Sequence, residues 1–313
     1  MPLRIVFCGT PAFAVPSLNR LITQPDFEIV AVVTQPDRPR GRGHKIQASP
    51  VKDAAGAARI PVYQPEKIRS EEAYEYFRRI APDLVVIIAY GQIVPPRLIE
   101  IPRLGWINVH ASLLPKYRGA APINWAIVNG ETRSGVTTMQ IDAGLDTGPM
   151  LLRSEIDIGP DETAPELAMR LSEAGASLIV ETLHGLHRKE ITPTPQNNSL
   201  ATFAPPLKKD DGRIDWSLPA RAIYNRIRGL DPWPGAFTLF RGKTCQIWGK
   251  PAPAPSESQP PGKIQITRSG ITVSCGRGEA LGLEFARLEG RKRVSAQEFA
   301  NGARLVPGDC FGA

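Results

Sequence analysis

Nowhere does this 313-residue chain approach the roughly 18–20 consecutive apolar residues that span a bilayer, so no transmembrane helix is expected. The opening residues, MPLRIVFCGTP, run straight into a strand-like segment. They lack the basic, apolar and small-residue order of a secretory leader. A soluble, cytoplasmic protein without a membrane partner is expected. Cysteine is scarce: Cys8, Cys245, Cys275 and Cys310 lie far apart and form no C-x-x-C. That spacing argues against a zinc ribbon or a disulfide framework and predicts free thiols. No G-x-x-x-x-G-K-[ST] occurs. No set of His, Cys and carboxylates has metal-ligand spacing, so no metal is expected.

What is present is a 42% hydrophobic composition, enough for a sizeable core in a chain longer than one average domain. The formal charge is +7 and unevenly placed. From residue 190 onward there are 17 Lys and Arg against 11 Asp and Glu, a net of +6, whereas residues 1–189 carry 21 against 20. A nearly neutral body with a basic tail predicts a polyanionic partner such as a nucleic acid. A basic surface kept for solubility is the alternative.

Over residues 1–189, strand-like and helix-like segments alternate. LRIVFCG, EIVAVVTQ, PVYQ, DLVVIIAYG and GWINVHAS read as strands. AFAVPSLNRLI, SPVKDAAGAAR and SEEAYEYFRRI read as helices, the last two opened by Ser49 and Ser70. PINWAIVNG is a further helix, and GVTTMQID with GPMLLRSEIDI a hairpin. TAPELAMRLSEAGASLIVETLHGLHRKE is one long helix, capped by Thr163. This order predicts an α/β, Rossmann-like doubly wound catalytic domain with a mostly parallel sheet, whose ligands sit at the carboxyl ends of the strands. Its first βα turn, GTPAFAVP, is not G-x-G-x-x-G. A nicotinamide dehydrogenase is therefore not expected.

Residues 190–209, rich in Pro, Asn, Thr and Ser, read as a linker ending in Lys208 and Lys209. Residues 210–313 change to short strands and turns. A helix capped by Ser217, hairpins around Arg241–Lys243 and Ser269–Gly270, a strand in EALGLEFARLE and a helix opened by Ser295 and Glu298 predict a small OB-like β-barrel that binds nucleic acid.

GWINVHASLLPKYRGAAP places Asn108 and His110 two residues apart on one strand, so both face the same side. An amide and an imidazole aimed together near a strand's carboxyl end can stabilise a carbonyl oxygen as it becomes an oxyanion. A satisfied buried pair is the competing reading. Asp146, between Gly144 and Gly148, sits in a tight turn. On a loop at the same sheet end it would orient His110 and favour its protonated form. From spacing alone, a turn aspartate bonded to its own backbone is the favoured reading, for Asp146 and for nearby Asp142. The loop SLLPKYRGAAP is blocked from regular structure by Pro115 and Gly119. It would show a planar heterocycle its backbone, or a phosphate Lys116 and Arg118. QPDRPRGRGHK, with Arg38, Arg40, Arg42 and Lys45, is a basic, flexible loop that would hold a nucleic acid together with the basic tail, although in isolation an exposed solvated loop is the better reading.

These segments together resemble the 10-formyltetrahydrofolate-dependent formyltransferase family. The resemblance rests on INVHASLLPKYRGAAPI, VVTQPDRPRGRG, GLDTGPM, RIDWS, DPWPGAF and VPGD, and covers essentially the whole chain. In the branch it is most similar to, it implies formyl transfer to the amino group of initiator methionyl-tRNA. It implies Asn108, His110 and Asp146 as the catalytic trio, and Ser112, Leu113, Leu114 and Pro115 at the folate site. Arg38, Arg40, Arg42, Lys45, Lys208 and Lys209 are the expected tRNA contacts, and a monomer is expected. A formyltransferase acting on a nucleotide sugar, and a folate- or RNA-binding module without catalysis, are the alternatives.

Overall fold

A computed structural model describes residues 1–40, 45–254, 259–267 and 270–312. Its contacts divide the chain into two units. The first comprises Met1–Pro122, Arg133–Asp157 and Ala168–Ala204; the second comprises Ile123–Thr132, Ile158–Leu167 and Pro205–Ala313.

The chain starts with β1 (Leu3–Gly9), α1 (Val15–Ile22), β2 (Phe27–Val33), β3 (Arg38–Arg40), β4 (Lys45–Gln47) and α2 (Pro50–Ala57). There follow β5 (Val62–Tyr63), α3 (Glu71–Ile80), β6 (Leu84–Ile88), α4 (Pro96–Ile99), β7 (Trp106–His110) and β8 (Arg118–Gly119). Then come α5 (Pro122–Val128), β9 (Arg133–Gln140), β10 (Met150–Asp157), α6 (Ala164–His187) and β11 (Phe203–Ala204). The helix starts are legible in local chemistry: the Ser49 hydroxyl accepts from Lys52 N with Pro50 at the first helical position, and the Ser70 hydroxyl accepts from Ala73 N.

The main sheet has the order β10-β9-β7-β6-β1-β2-β5. β5, β2, β1, β6 and β7 are mutually parallel; β9 and β10 are antiparallel additions. The chain winds outward from β1 to β2 and β5, then crosses back to β6 and β7. Right-handed crossovers then place α1 and α2 on one face and α3 and α4 on the other. Alternate residues sort accordingly. Val6, Cys8, Val85 and Ile87 pack with Phe77 of α3, Leu98 of α4 and Trp106. β6 is buried along its whole length, as a strand covered on both faces requires. On α6, a Cβ on Gly175 would meet Val109 Cγ1 at 2.9 Å, so its backbone lies close over β7.

Two segments differ from the sequence expectation. Residues 38–40 and 45–47, expected as loop, are paired strands: β3 and β4 run antiparallel, Arg38 opposite Gln47 and Arg40 opposite Lys45. The root of this ribbon is fixed by Asp37, which accepts from Lys52 Nζ at 2.5 Å and Gln64 Nε2 at 2.8 Å. Arg42 lies outside the described residues. The 190–209 stretch, expected as a linker, makes a built return: Thr194 bridges Met150, and β11 pairs parallel with β8. Its low periodicity reflects side chains spent on polar bonds rather than on a buried face.

The second unit continues with α7 (Ala220–Gly229), β12 (Phe237–Phe240), β13 (Lys243–Ala252), β14 (Ile264–Thr267) and β15 (Gly270–Ser274). It ends with β16 (Ala280–Leu288), β17 (Val294–Ser295) and α8 (Ala296–Ala303). The strands form an antiparallel sheet ordered β12-β13-β16-β15-β14, with β17 on β16. The terminal segment joins the two edges: Phe311 bridges Phe240 of β12, and Cys310 bridges Lys263 beside β14. The sheet is thereby closed around Trp216, Ile247, Val273, Phe299 and Phe311, as an OB-like barrel needs. Burial pushes the Cys245 and Cys275 thiols up to about 12. The Ser295–Glu298 capping box forms as read. Ser217 does not cap α7. Its hydroxyl donates to Asp215 at 2.6 Å, Pro219 precedes the helix, and the Glu279 carboxylate accepts from Ala220 N at 2.8 Å. A local turn and a distant carboxylate together displace the expected cap.

Arg241 holds the terminal segment through two bonds to Asp309, Nη2 to Oδ2 at 2.7 Å and Nε to Oδ1 at 3.1 Å. The guanidinium keeps the Asp309 carboxyl below the usual carboxylate range. A folded value lower than the unfolded one adds stability above the ordinary aspartate value of about 3.9 and loses it as pH falls through the folded value. Asp309→Asn is therefore expected to lower the urea midpoint at pH 7, with the gap to wild type closing in acid. A gap that stays constant from pH 7 to pH 3 would remove the ion pair from this role.

Candidate active site

β7 presents Asn108 and His110 on one face, with Ile87 of β6 opposite Asn108 and Thr137 of β9 opposite His110. His110 is 6% exposed. Its Nε2 lies 2.9 Å from the Tyr117 carbonyl, and its Nδ1 lies 3.7 Å from Asp146 Oδ2. A carbonyl only accepts, so Nε2 carries the hydrogen and Nδ1 is the ring atom left to take up a proton. A proton on Nδ1 would face the Asp146 carboxylate. Asn108 is half-buried, and its amide has no hydrogen-bond partner among the described residues. It is the donor in the trio that remains free for a ligand.

Asp146 arrives by an indirect path. Because β9 runs antiparallel to β7, the β9–β10 loop leaves the sheet beside Trp106, with Ile141 N donating to the Trp106 carbonyl at 2.8 Å. That is the start of β7, not its carboxyl end, which corrects the expectation of a loop at the same sheet end. The loop's tip returns to His110. Asp146 adopts φ +50°, and its Oδ2 accepts from Gly119 N at 2.8 Å. It thus bonds to a distant backbone, not to its own turn. Asp142 takes the local role, accepting from Gly144 N and Thr147 Oγ1.

The loop after β7 is closed on itself. The Ser112 hydroxyl donates to the Lys116 carbonyl at 2.6 Å. Thr137 Oγ1 donates to the Ser112 carbonyl at 2.7 Å and accepts from Leu114 N at 3.2 Å. Ser112 and Leu114 are buried, while Leu113 packs over Gly135. The Ser112 and Leu114 side chains therefore hold the loop's shape; Leu113 and Pro115 are partly exposed. Apolar surface open to a planar ligand stands elsewhere, at Ile93 after β6 and Leu145 beside Asp146, 91% and 61% exposed. A cavity of about 340 Å³ opens where the chain reverses between β1 and β6, lined by Thr10, Gln35, Arg38, Ser49, Tyr90 and Gly91. It lies one strand from Asn108, at the carboxyl ends of β1, β2 and β6, where ligands of such sheets bind.

Sequence reasoning missed the groups that hold the trio: the Tyr117 carbonyl, Gly119 N, Thr137, Arg118 and Gln196. Backbone atoms leave no trace in side-chain patterns, and Gln196 lies in a segment without periodicity. Of the expected tRNA contacts, Arg38, Lys208 and Lys209 are exposed. Arg40 and Lys45 are described through their strand pairing alone.

The formyl transferase family profile matches residues 3–183, and the profile of the formyl transferase C-terminal domain matches residues 206–304. A methionyl-tRNA formyltransferase of Solibacter usitatus is 55% identical over 310 residues, covering 99% of this chain and 99% of that protein. One from Geobacter metallireducens is 52% identical, covering 98% and 97%. Among solved structures, an N-formyltransferase from Helicobacter canadensis in complex with folinic acid and dTDP-3-aminofucose superposes with a TM-score of 0.67 at 20% identity. It covers 90% of this chain and 99% of that one, a likeness of fold. Two family profiles and full-length identity near 50%, on a chain that brings Asn108, His110 and Asp146 together, place it plainly: it belongs to the formyl transferase family, among the methionyl-tRNA formyltransferases.

Proposed function

We propose that this protein transfers the formyl group of 10-formyltetrahydrofolate to the amino group of initiator methionyl-tRNA, with Asn108, His110 and Asp146 as its catalytic groups. The observation that carries the residue assignment is the free Asn108 amide beside an imidazole whose Nδ1 faces a carboxylate. This donor set fits a formyl carbonyl and a nucleophilic amine. When bound, the folate supplies the formyl carbon and a nitrogen leaving group.

The chemistry follows from the two edges of the site. As the amine attacks the formyl carbon, negative charge develops on the formyl oxygen. Asn108 donates to that oxygen, and loss of such a donor typically costs about 100- to 1,000-fold in rate. His110 Nδ1 receives the proton lost by the amine, with Asp146 stabilising the cation. The bond from the formyl carbon to the folate nitrogen then breaks, and the proton passes from Nδ1 to that nitrogen. The products are the N-formyl amide and tetrahydrofolate. The Tyr117 carbonyl holds Nε2–H throughout, so the ring presents one edge only. Ile93 and Leu145 are read as apolar surface for the planar part of the folate, together with the loop from Ser112 to Pro115.

The closed barrel of residues 210–313, with Lys208 and Lys209 at its entry, is read as the tRNA platform. Arg38, Arg40, Arg42 and Lys45 are read as the contact to the acceptor end. With about six phosphates neutralised, tRNA affinity is expected to fall about 1,000-fold between 50 and 200 mM salt. A flat salt response would remove the basic tail from this role. The protein is read as a cytoplasmic monomer.

The deciding experiment is transfer from 10-formyltetrahydrofolate to charged initiator tRNA, with elongator methionyl-tRNA and amino-sugar nucleotides as competitors. Preferential formylation of the amino sugar would overturn the substrate assignment.

A further inference from the structure

We infer that Gln196 is a positioning residue for formyl transfer, clasping the turn that carries Asp146. This rests on the reading of Asp146 as catalytic.

The Gln196 carboxamide has every bond it can make inside the first unit. Its Nε2 donates to the carbonyls of Asp146 and Gly148, both at 2.8 Å. Its Oε1 accepts from Arg118 Nε at 3.0 Å and Nη2 at 2.7 Å. The orientation is unambiguous, because the donor end meets two carbonyls and the acceptor end meets a guanidinium. Arg118 is itself only 4% exposed, and its Nη2 also donates to Asn198 Oδ1 at 2.8 Å. A buried cation is thus tied by neutral oxygens of residues 196–198.

The same return segment holds the other side of the site. Thr202 Oγ1 accepts from Tyr117 N at 2.8 Å, the Thr202 carbonyl accepts from Arg118 N at 2.9 Å, and the Ala204 carbonyl accepts from Ala120 N at 2.8 Å. Residues 117–119 supply both groups that touch the catalytic side chains: the Tyr117 carbonyl on His110 Nε2 and Gly119 N on Asp146 Oδ2. The approach is close, since a Cβ on Gly119 would lie 2.7 Å from the Ala204 carbonyl oxygen. Gln196 thus joins the two halves of the support, gripping the Asp146 turn from one end and the 117–119 turn, through Arg118, from the other.

No side chain of similar length replaces it. Glutamate keeps the bond to Arg118 but cannot donate to two carbonyls, and methionine does neither.

The test uses the full chain and charged initiator tRNA. Gln196→Met and Gln196→Glu are each expected to lower kcat about 10- to 100-fold, the scale of a small misplacement, while KM for tRNA and for folate stays within about twofold. Gln196→Glu keeps the anchor to Arg118 and serves should Gln196→Met fold poorly. A general packing role would instead show as lost folded protein, read by thermal unfolding. In the Asp146→Asn background, Gln196→Glu is expected to add no further loss, since its effect runs through Asp146. Normal kcat in Gln196→Glu, or losses that multiply in the double variant, would overturn the inference. Undiminished turnover in Asp146→Asn alone would instead overturn the catalytic reading of Asp146, and this inference with it.

Discussion

His110→Ala is expected to lower formylation about 100- to 10,000-fold, the range of a positioned general base, with equilibrium affinity for initiator tRNA unchanged. The substitution removes the acceptor of the amine's proton at Nδ1, while the strand keeps its pairs with β6 and β9. The ring is buried and holds the Tyr117 carbonyl, so alanine leaves a small cavity and an unpaired acceptor and lowers the melting temperature as well, which the folded fraction must be shown to survive. Single-turnover rates, a filter-binding isotherm and a melting curve on one preparation separate these quantities. Turnover close to wild type in folded His110→Ala would sink the assignment of His110, whatever the tRNA affinity.

Gly148→Ala is expected to lower kcat about 100-fold without weakening tRNA binding, because a catalytic carboxylate displaced by about 1 Å loses that much. A Cβ at Gly148 would sit 1.9 Å from the Gln140 carbonyl oxygen and 3.0 Å from its carbon, both backbone atoms. No rotamer relieves such a clash. The base of the β9–β10 loop must open, and Asp146 at its tip moves with it. Gly56→Ala is the matched control. Gly56 lies in α2, a Cβ there meets nothing within 4 Å, and alanine should stabilise the helix by roughly 0.5–1 kcal/mol. If Gly148→Ala turned over like Gly56→Ala, the loop would not be what places the carboxylate.

Most of the first unit was legible in the sequence. Runs such as LVVII announce a strand buried on both faces, and Ser49–Pro50 and Ser70 announce helix starts through bonds made within three residues. The i, i+2 spacing of Asn108 and His110 alone puts them on one face of a strand. Where a competing local turn or a distant partner takes the same groups, pattern reading fails. Ser217 lost its cap to Asp215 and Glu279, and the polar stretch after residue 190 turned out to carry Gln196 and Thr202.

The sequence by itself determined the alternation of strands and helices, the unequal charge of the two halves and the residue types of the site. Each depends on periodicity or composition, which side chains carry openly. The tertiary structure decided which groups meet. The β9–β10 loop leaves at the wrong end of β7 and returns, so the contact between Asp146 and His110 depends on Gly119 N, on Gly148 lying against Gln140, and on a glutamine 50 residues along the chain from Asp146. It also decided which edge of His110 works, because a backbone carbonyl, invisible in any side-chain pattern, holds the other.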